Sequence, residues 1–230
     1  MHRFLWKCTN VRPEGLAFYW NNIPNNIEEK MFDIATEEAA QYVIDHMPDI
    51  SGTIDPLFII EHCTKRASID GLFLEFGVYK GRTINHIATF TESTVHGFDS
   101  FEGIPQDWGT CPKGTFSTSG TLPYVKENVE LHKGWFDQTL PVFLSSEKGN
   151  VSFLHIDSDL YSSAKTILTL LSDRIIPGTI ILFDEYFNYP GWKKHEYLAF
   201  QEFVKENNVT YSYVAYCSRG FSVAVKIESK

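Results

Sequence analysis

Five carboxylates in this sequence stand at or next to the ends of apolar runs. Glu75 follows Leu72-Phe73-Leu74, Asp99 follows Val95-His96-Gly97-Phe98, Asp157 follows Leu154-His155-Ile156, and Asp184 and Glu185 follow Ile181-Leu182-Phe183. Glu75 precedes a turn of the form Gly77-x-x-x-Gly81, where it would repel a pyrophosphate and favour a cationic ligand group. Asp99 has the placement of an acid that accepts two hydrogen bonds from ribose hydroxyls. Asp157, Asp184 and Glu185 would repel one another if they converged, and a hard divalent cation with oxygen ligands is the simplest relief. Structural roles compete with each assignment: Glu75 could cap a turn or pair with Arg82, and Asp184 or Glu185 could pair with Lys193 or Lys194. Asp159 is read as the cap of a helix beginning near Ser162.

A ligand with a positive centre near Glu75 and a ribose near Asp99 is S-adenosylmethionine (SAM). Gly77 and Gly81 would let the backbone approach it without a Cβ in the way, at the start of a helix. The glycine spacing is not the three-glycine dinucleotide fingerprint, which counts against the alternative of an NAD-dependent oxidoreductase. A non-catalytic SAM-binding protein is the other alternative.

These residues need a frame that brings strand ends together. Strands are expected at 72–76, 94–98, 129–133, 151–156 and 179–183, alternating with helices at 81–90, 138–146, 162–175 and 194–206, which implies a parallel sheet covered on both faces. Thr210 to Tyr216 and Phe221 to Ile227 are joined by only Cys217-Ser218-Arg219-Gly220, too short for a parallel crossover, so they form an antiparallel hairpin. Helical spacing of apolar residues predicts helices from Ile27 to Met47 and from about Asp55 to Ser68, the latter with Pro56 in its first turn. Residues Met1 to Asn26 read as an irregular segment whose aromatics pack on the domain or form part of a lid. The expected architecture is α/β, Rossmann-like and doubly wound, with a mostly parallel seven-stranded sheet. An N-terminal part (1–69) precedes the ligand-binding domain (70–230).

Five words of the sequence, in this order, resemble the class I SAM-dependent methyltransferases, and within them the macrocin O-methyltransferase-like family. They are Glu75-Phe76-Gly77-Val78-Tyr79-Lys80-Gly81-Arg82-Thr83, Gly97-Phe98-Asp99-Ser100-Phe101-Glu102-Gly103-Ile104-Pro105, Gly134-Trp135-Phe136, His155-Ile156-Asp157-Ser158-Asp159-Leu160-Tyr161 and Phe183-Asp184-Glu185-Tyr186. The resemblance implies that Glu75, Gly77 and Thr83 surround the methionine part of SAM and that Asp99 takes the ribose. It also implies that Ser100 and Phe101 border the adenosine, with Trp135 and Phe136 at the adenine end, although that aromatic pair could equally pack in the core. Similar O-methyltransferases hold Mg²⁺ with acids at the positions of Asp157, Asp184 and Glu185, the last of which is often Asp in the family. The implied reaction is O-methylation of a small molecule, with a sugar or glycosylated metabolite the leading acceptor class.

Methyl transfer needs an oriented nucleophile in line with the S–CH₃ bond, and a metal binding the acceptor hydroxyl would lower its pKa. The base is less evident. Leu160 occupies the place at which catechol O-methyltransferases carry a lysine, Asp157 is the candidate, and His155 is expected to point into packing. The long connection Gln106 to Leu122 could be a mobile lid over the acceptor, and Tyr186, Tyr189, Trp192 and His195 are candidate acceptor-pocket residues.

Composition narrows the partners. With 20 Lys+Arg against 29 Asp+Glu and a net charge of -9, no basic stripe is present to bind nucleic acid. No apolar run approaches membrane-spanning length. Cys8, Cys63, Cys111 and Cys217 are far apart, suggesting neither a disulfide framework nor a zinc site and fitting a reducing cytoplasm. Met1 to Lys7 lacks the apolar block of a signal peptide. Aromatics near the N-terminus hint at subunit contacts, hence a homo-oligomer.

Overall fold

Seven strands pair into one sheet in the order β3-β2-β1-β4-β5-β7-β6. A computed structural model describes residues 26–230, so the segment read as irregular from Met1 lies outside the described residues except for Asn26. The strands are β1 (Leu72–Phe76), β2 (Val95–Asp99), β3 (Val129–Lys133), β4 (Val151–Ile156), β5 (Ile180–Phe183), β6 (Thr210–Tyr216) and β7 (Val223–Ser229). β1 to β5 run parallel to one another, whereas β7 runs antiparallel between β5 and β6. The expected hairpin is therefore present, and its second strand is the one inserted into the sheet.

Every residue of β1, β4 and β5 is buried, as continuous apolar strands in a two-sided α/β sheet should be. Alternation sends Leu74, Phe76, Phe98, Leu154, Ile156, Ile181 and Phe183 to one face and Phe73, Val95, Phe153, Ile180 and Leu182 to the other. The described helices are α1 (Ile27–His46), α2 (Pro56–Thr64), α3 (Arg82–Ile87), α4 (Phe136–Ser146), α5 (Tyr161–Leu170) and α6 (Glu196–Glu206). The first face packs against α1, α4, α5 and α6, and the second against α2 and α3.

Asn26 caps α1 by accepting from the Glu28 N–H, and Asp55 caps α2 by accepting from the Leu57 N–H, with Pro56 at the first helical position. α1 is tied to the sheet by a hydroxyl contact from Tyr42 to Tyr213 (2.5 Å), and the Tyr213 hydroxyl also meets that of Tyr186, beyond β5 (3.3 Å). The helix expected at 162–175 is shorter, ending at Leu170 before a single 3₁₀ turn at Ser172–Arg174. No helix of the described residues is long and apolar enough to cross a membrane.

Cys63 and Cys217 are buried and not disulfide-bonded. Cys111 is disulfide-bonded, so the inference from unpaired cysteines to a reducing compartment does not carry through.

Candidate functional site

The chain order reverses at β1, with β2 on one side and β4 on the other, and such a switch point opens a crevice beyond the strand ends. A cleft of about 900 Å³ lies there. Its floor is held by backbone bonds that continue past the strands: Gly134 N–H to Asp99 O, Gly77 N–H to Phe98 O, Asp157 N–H to Phe76 O and Asp184 N–H to Ile156 O, each 2.9 Å. This ladder brings the tips of β3, β2, β1, β4 and β5 into line, which places Asp99, Asp157 and Asp184 on one edge.

Gly77 is required by that alignment. Its φ is 97°, and a Cβ built on it would lie 1.8 Å from the Asp157 carbonyl oxygen, so no side chain fits between the first loop and the fourth strand. Gly81 adopts φ 79° as the N-cap of α3. Gly77 and Thr83 line the cleft.

Asp99 has two tasks. Its Oδ2 accepts from the N–H groups of Val78 (2.9 Å) and Tyr79 (2.7 Å), and its Oδ1 accepts from Phe101 N–H (2.7 Å). It thereby shapes the glycine loop while facing the cleft, and a carboxylate has lone pairs left for ribose hydroxyls. Ser100, Trp135 and Phe136 also line the cleft, with Phe136 edge-on to Phe76 at 5.2 Å. Phe101, at φ 59°, is buried beneath the surface and does not line the cleft.

Glu75 is placed differently from the direct ligand contact inferred from its position. It is paired in register with His155 on β4 and Gly97 on β2, and its side chain turns to the face covered by α3. There Oε1 meets His155 Nδ1 at 2.9 Å, both side chains being fully buried, and Glu75 does not line the cleft. Burial raises the Glu75 carboxyl, opposed by the hydrogen bond and charge of His155 and by a hydrogen bond from Thr83. Burial acts to lower His155, but the Glu75 bond and charge, helped by Asp157 and Asp184, prevail and raise it to about 9. The pair bears on the cleft through Thr83. Pairing of Glu75 with Arg82, the structural alternative, is not what the structure shows.

The second group of acids does converge. Asp157, Asp184 and Glu185 each offer a carboxylate oxygen, and these oxygens lie within 4.8 Å of one another. Asp157 and Asp184 line the cleft, while Glu185 is buried behind them. Ser222 Oγ donates to Asp184 Oδ1 at 3.0 Å. Lys193, considered as a partner for these acids, instead pairs with Glu38 at 3.1 Å. Asp159 does not cap α5: Leu160 is the N-cap without a side-chain bond, and Asp159 sits at φ 61° on the cleft wall.

Glu196, the first residue of α6, was not singled out in the sequence. Fully buried, it accepts from Ser158 N–H (3.2 Å) and Ser158 Oγ (3.3 Å) with Oε1, and from Glu185 N–H (3.1 Å) with Oε2. It therefore brackets the loops after β4 and β5. Burial, with the charges of Asp159 and Asp184, pushes its carboxyl up to about 8 against the two backbone donors that favour its anion. An acid at a helix start in sequence looks like an ordinary partner of the helix dipole, so only the fold reveals the bracket.

The connection read as a mobile lid is packed down. Trp108 is buried against Tyr189 and His195, with ring centroids 6.2 and 6.4 Å away, and it exchanges two backbone bonds with Cys111. Phe116 meets Tyr79 edge-on at 5.8 Å, and both line the cleft. Tyr186, Tyr189 and Trp192 are core residues that do not line it.

Comparison with known proteins agrees with this geometry. Residues 74–186 match a family model described as a methyltransferase domain. A curated relative from Streptomyces olivaceus, 8-demethyl-8-(2,3-dimethoxy-alpha-L-rhamnosyl)-tetracenomycin-C 4'-O-methyltransferase, is 25% identical over 158 residues, covering 55% of this chain and 58% of the relative; the chain thus matches little more than half of that protein's length. The fold is similar to that of CalS11, a calicheamicin methyltransferase, with TM-score 0.63, 20% identity and 96% of both chains covered. An apo structure of CalS11, described as a TDP-rhamnose 3'-O-methyltransferase, gives TM-score 0.55, 18% identity, and coverage of 96% of this chain and 98% of that one. The O-methyltransferase NovP gives TM-score 0.54, 22% identity, and coverage of 76% of this chain and 79% of that one. The sheet order and the switch-point cleft accord with the match of residues 74–186 to a methyltransferase domain and with the fold shared with CalS11.

Proposed function

We propose that this protein transfers the methyl group of SAM to a hydroxyl of a small molecule, with a sugar or glycosylated metabolite as acceptor and Mg²⁺ as the assisting cation. The observation that carries the reading is the shared cleft: the glycine loop and Asp99 border it on one side, Asp157 and Asp184 on the other, and Gly77 abuts the Asp157 backbone between them. The rhamnosyl and TDP-rhamnose acceptors in the relatives' names support the acceptor class.

Asp99 holds the ribose by its remaining lone pairs, Trp135 and Phe136 supply an apolar wall for the adenine, and Thr83 meets the methionine end. Tyr79 and Phe116 help to close the cleft against water. The donor set of Asp157, Asp184 and Glu185 is all oxygen and tightly grouped, which fits a hard divalent ion. Bound there, Mg²⁺ supplies charge that lowers the pKa of the acceptor hydroxyl. Asp157 is the candidate to take the hydroxyl proton, a reading supported by its place on the cleft wall and by the engagement of His155 with Glu75 away from the cleft. The nucleophilic oxygen then attacks the methyl in line with the departing sulfur.

The test is a set of glycosylated and free hydroxylated metabolites incubated with SAM and protein, with product followed by mass. Methylated product that disappears with EDTA and returns with Mg²⁺ is expected. Full turnover in EDTA refutes the metal assignment, and tight SAM binding without product from any acceptor points to a non-catalytic SAM-binding protein.

A further inference from the structure

A second group of metal-binding side chains lies apart from the cleft, on the edge of the sheet. His96 on β2 and Glu130 on β3 are register partners, and Phe98 and His132 are the next pair on the same face. Strand alternation thus places two imidazoles and a carboxylate side by side. His96 Nδ1 and His132 Nε2 are 3.1 Å apart, His96 Nδ1 and Glu130 Oε2 are 3.9 Å apart, and one ligand atom from each residue falls within 4.8 Å of the others.

That spacing is close to what a tetrahedral ion requires. With metal–nitrogen bonds of about 2.0–2.1 Å, two ligating nitrogens stand about 3.3 Å apart. The rings are also held: Phe98 stacks on His132 at 4.5 Å, and Phe143 of α4 packs on His96 at 4.8 Å and on His132 at 5.0 Å. Glu130 is 62% exposed, so an ion can enter from solvent and keep water in its fourth position. Two imidazoles and one carboxylate suit a borderline transition metal, whereas Mg²⁺ prefers oxygen donors.

We propose that His96, Glu130 and His132 form a site for a borderline transition-metal ion such as Zn²⁺, clamping the edge strand β3 to β2. The site does not depend on the methyl-transfer reading. Its position gives it a consequence for the cleft, because His96 precedes Asp99 on β2 and His132 precedes Gly134 and Trp135 at the end of β3. A clamp there would stiffen the two strands that carry the adenosine-facing residues. The competing arrangement is a simple N–H···N hydrogen bond between the two rings.

The full chain is titrated with Zn²⁺ by calorimetry and with Co²⁺ by visible absorption, with Mg²⁺ for contrast. Asp184→Asn disables the oxygen site, and His132→Gln and Glu130→Ala disable this one. The expected result is a saturable Zn²⁺ event that survives Asp184→Asn and weakens roughly tenfold or more in His132→Gln, together with tetrahedral Co²⁺ bands that His132→Gln removes. Glu130→Ala, at an exposed side chain, serves if His132→Gln does not fold. Zn²⁺ binding that is absent, unchanged by both substitutions at this site, or abolished by Asp184→Asn overturns the proposal.

Discussion

Replacing Glu196 by Gln isolates the bracket behind the acidic group. The side chain keeps its shape but has one carbonyl oxygen where the carboxyl had two acceptors. With that oxygen toward Ser158, the new NH₂ faces the Glu185 N–H, which Glu196 Oε2 accepts at 3.1 Å in the native protein. Burial already pushes this carboxyl up to about 8, so near neutral pH the substitution removes an acceptor more than a full charge. The cost is that of an orphaned buried N–H, about 1–3 kcal/mol. At about 2–4 °C per kcal/mol for a chain of this size, the Tm should fall by roughly 2–12 °C. Because the bracket joins the loops after β4 and β5 and does not touch the Asp99 loop, SAM affinity should hold while Mg²⁺ affinity and methyl-transfer rate drop. Thermal melts and calorimetry with SAM and Mg²⁺ separate these quantities. An unchanged Tm, or a loss of SAM affinity as large as the loss of Mg²⁺ affinity, refutes the reasoning.

Three other substitutions probe the rest of the site. Gly77→Ala should abolish SAM binding, checked by calorimetry on protein of normal circular dichroism, because the new Cβ meets the Asp157 carbonyl at a positive φ; the left-handed conformation alone costs about 1–2 kcal/mol. Asp99→Asn exchanges a charged acceptor for an amide facing the Val78 and Tyr79 N–H groups, and SAM affinity should fall roughly 10- to 100-fold, equivalent to about 1.5–3 kcal/mol. His195 is held below the usual histidine range by burial and by Lys194. Its unfolded form, near 6.5, binds protons first as pH falls, so stability present above about pH 6.5 is lost on acidification. His195→Gln should flatten that acid loss in denaturant titrations between about pH 7 and 5.

Most strands could be read from the sequence because β1, β4 and β5 are buried on both faces and therefore written as unbroken apolar runs. The acids at their ends followed from strand direction alone. What could not be read were relations that depend on register. Glu75 and His155 meet because β1 and β4 pair at those residues, and nothing local to either segment announces it. Glu196 reaches Ser158 and Glu185 only after α6 has folded back over β4 and β5. Asp159 offered a plausible cap, but its left-handed backbone puts Leu160 at the helix start. The long connection after Asp99 looked free because its polar and glycine residues are typical of loops, whereas the burial of Trp108 holds it down.

The row of backbone bonds across the strand tips has an evolutionary consequence. Main-chain amides and carbonyls make it, so drift in most side chains leaves it standing, and the positions with least freedom are its two glycines, Gly77 and Gly134. The stretch around Phe116 hangs from this frame without belonging to it. If the proposed function holds, exchange of that outer wall would alter acceptor preference while the donor edge is kept, and chimaeras that swap residues 104–122 between relatives should retain SAM binding while changing the hydroxyl they accept.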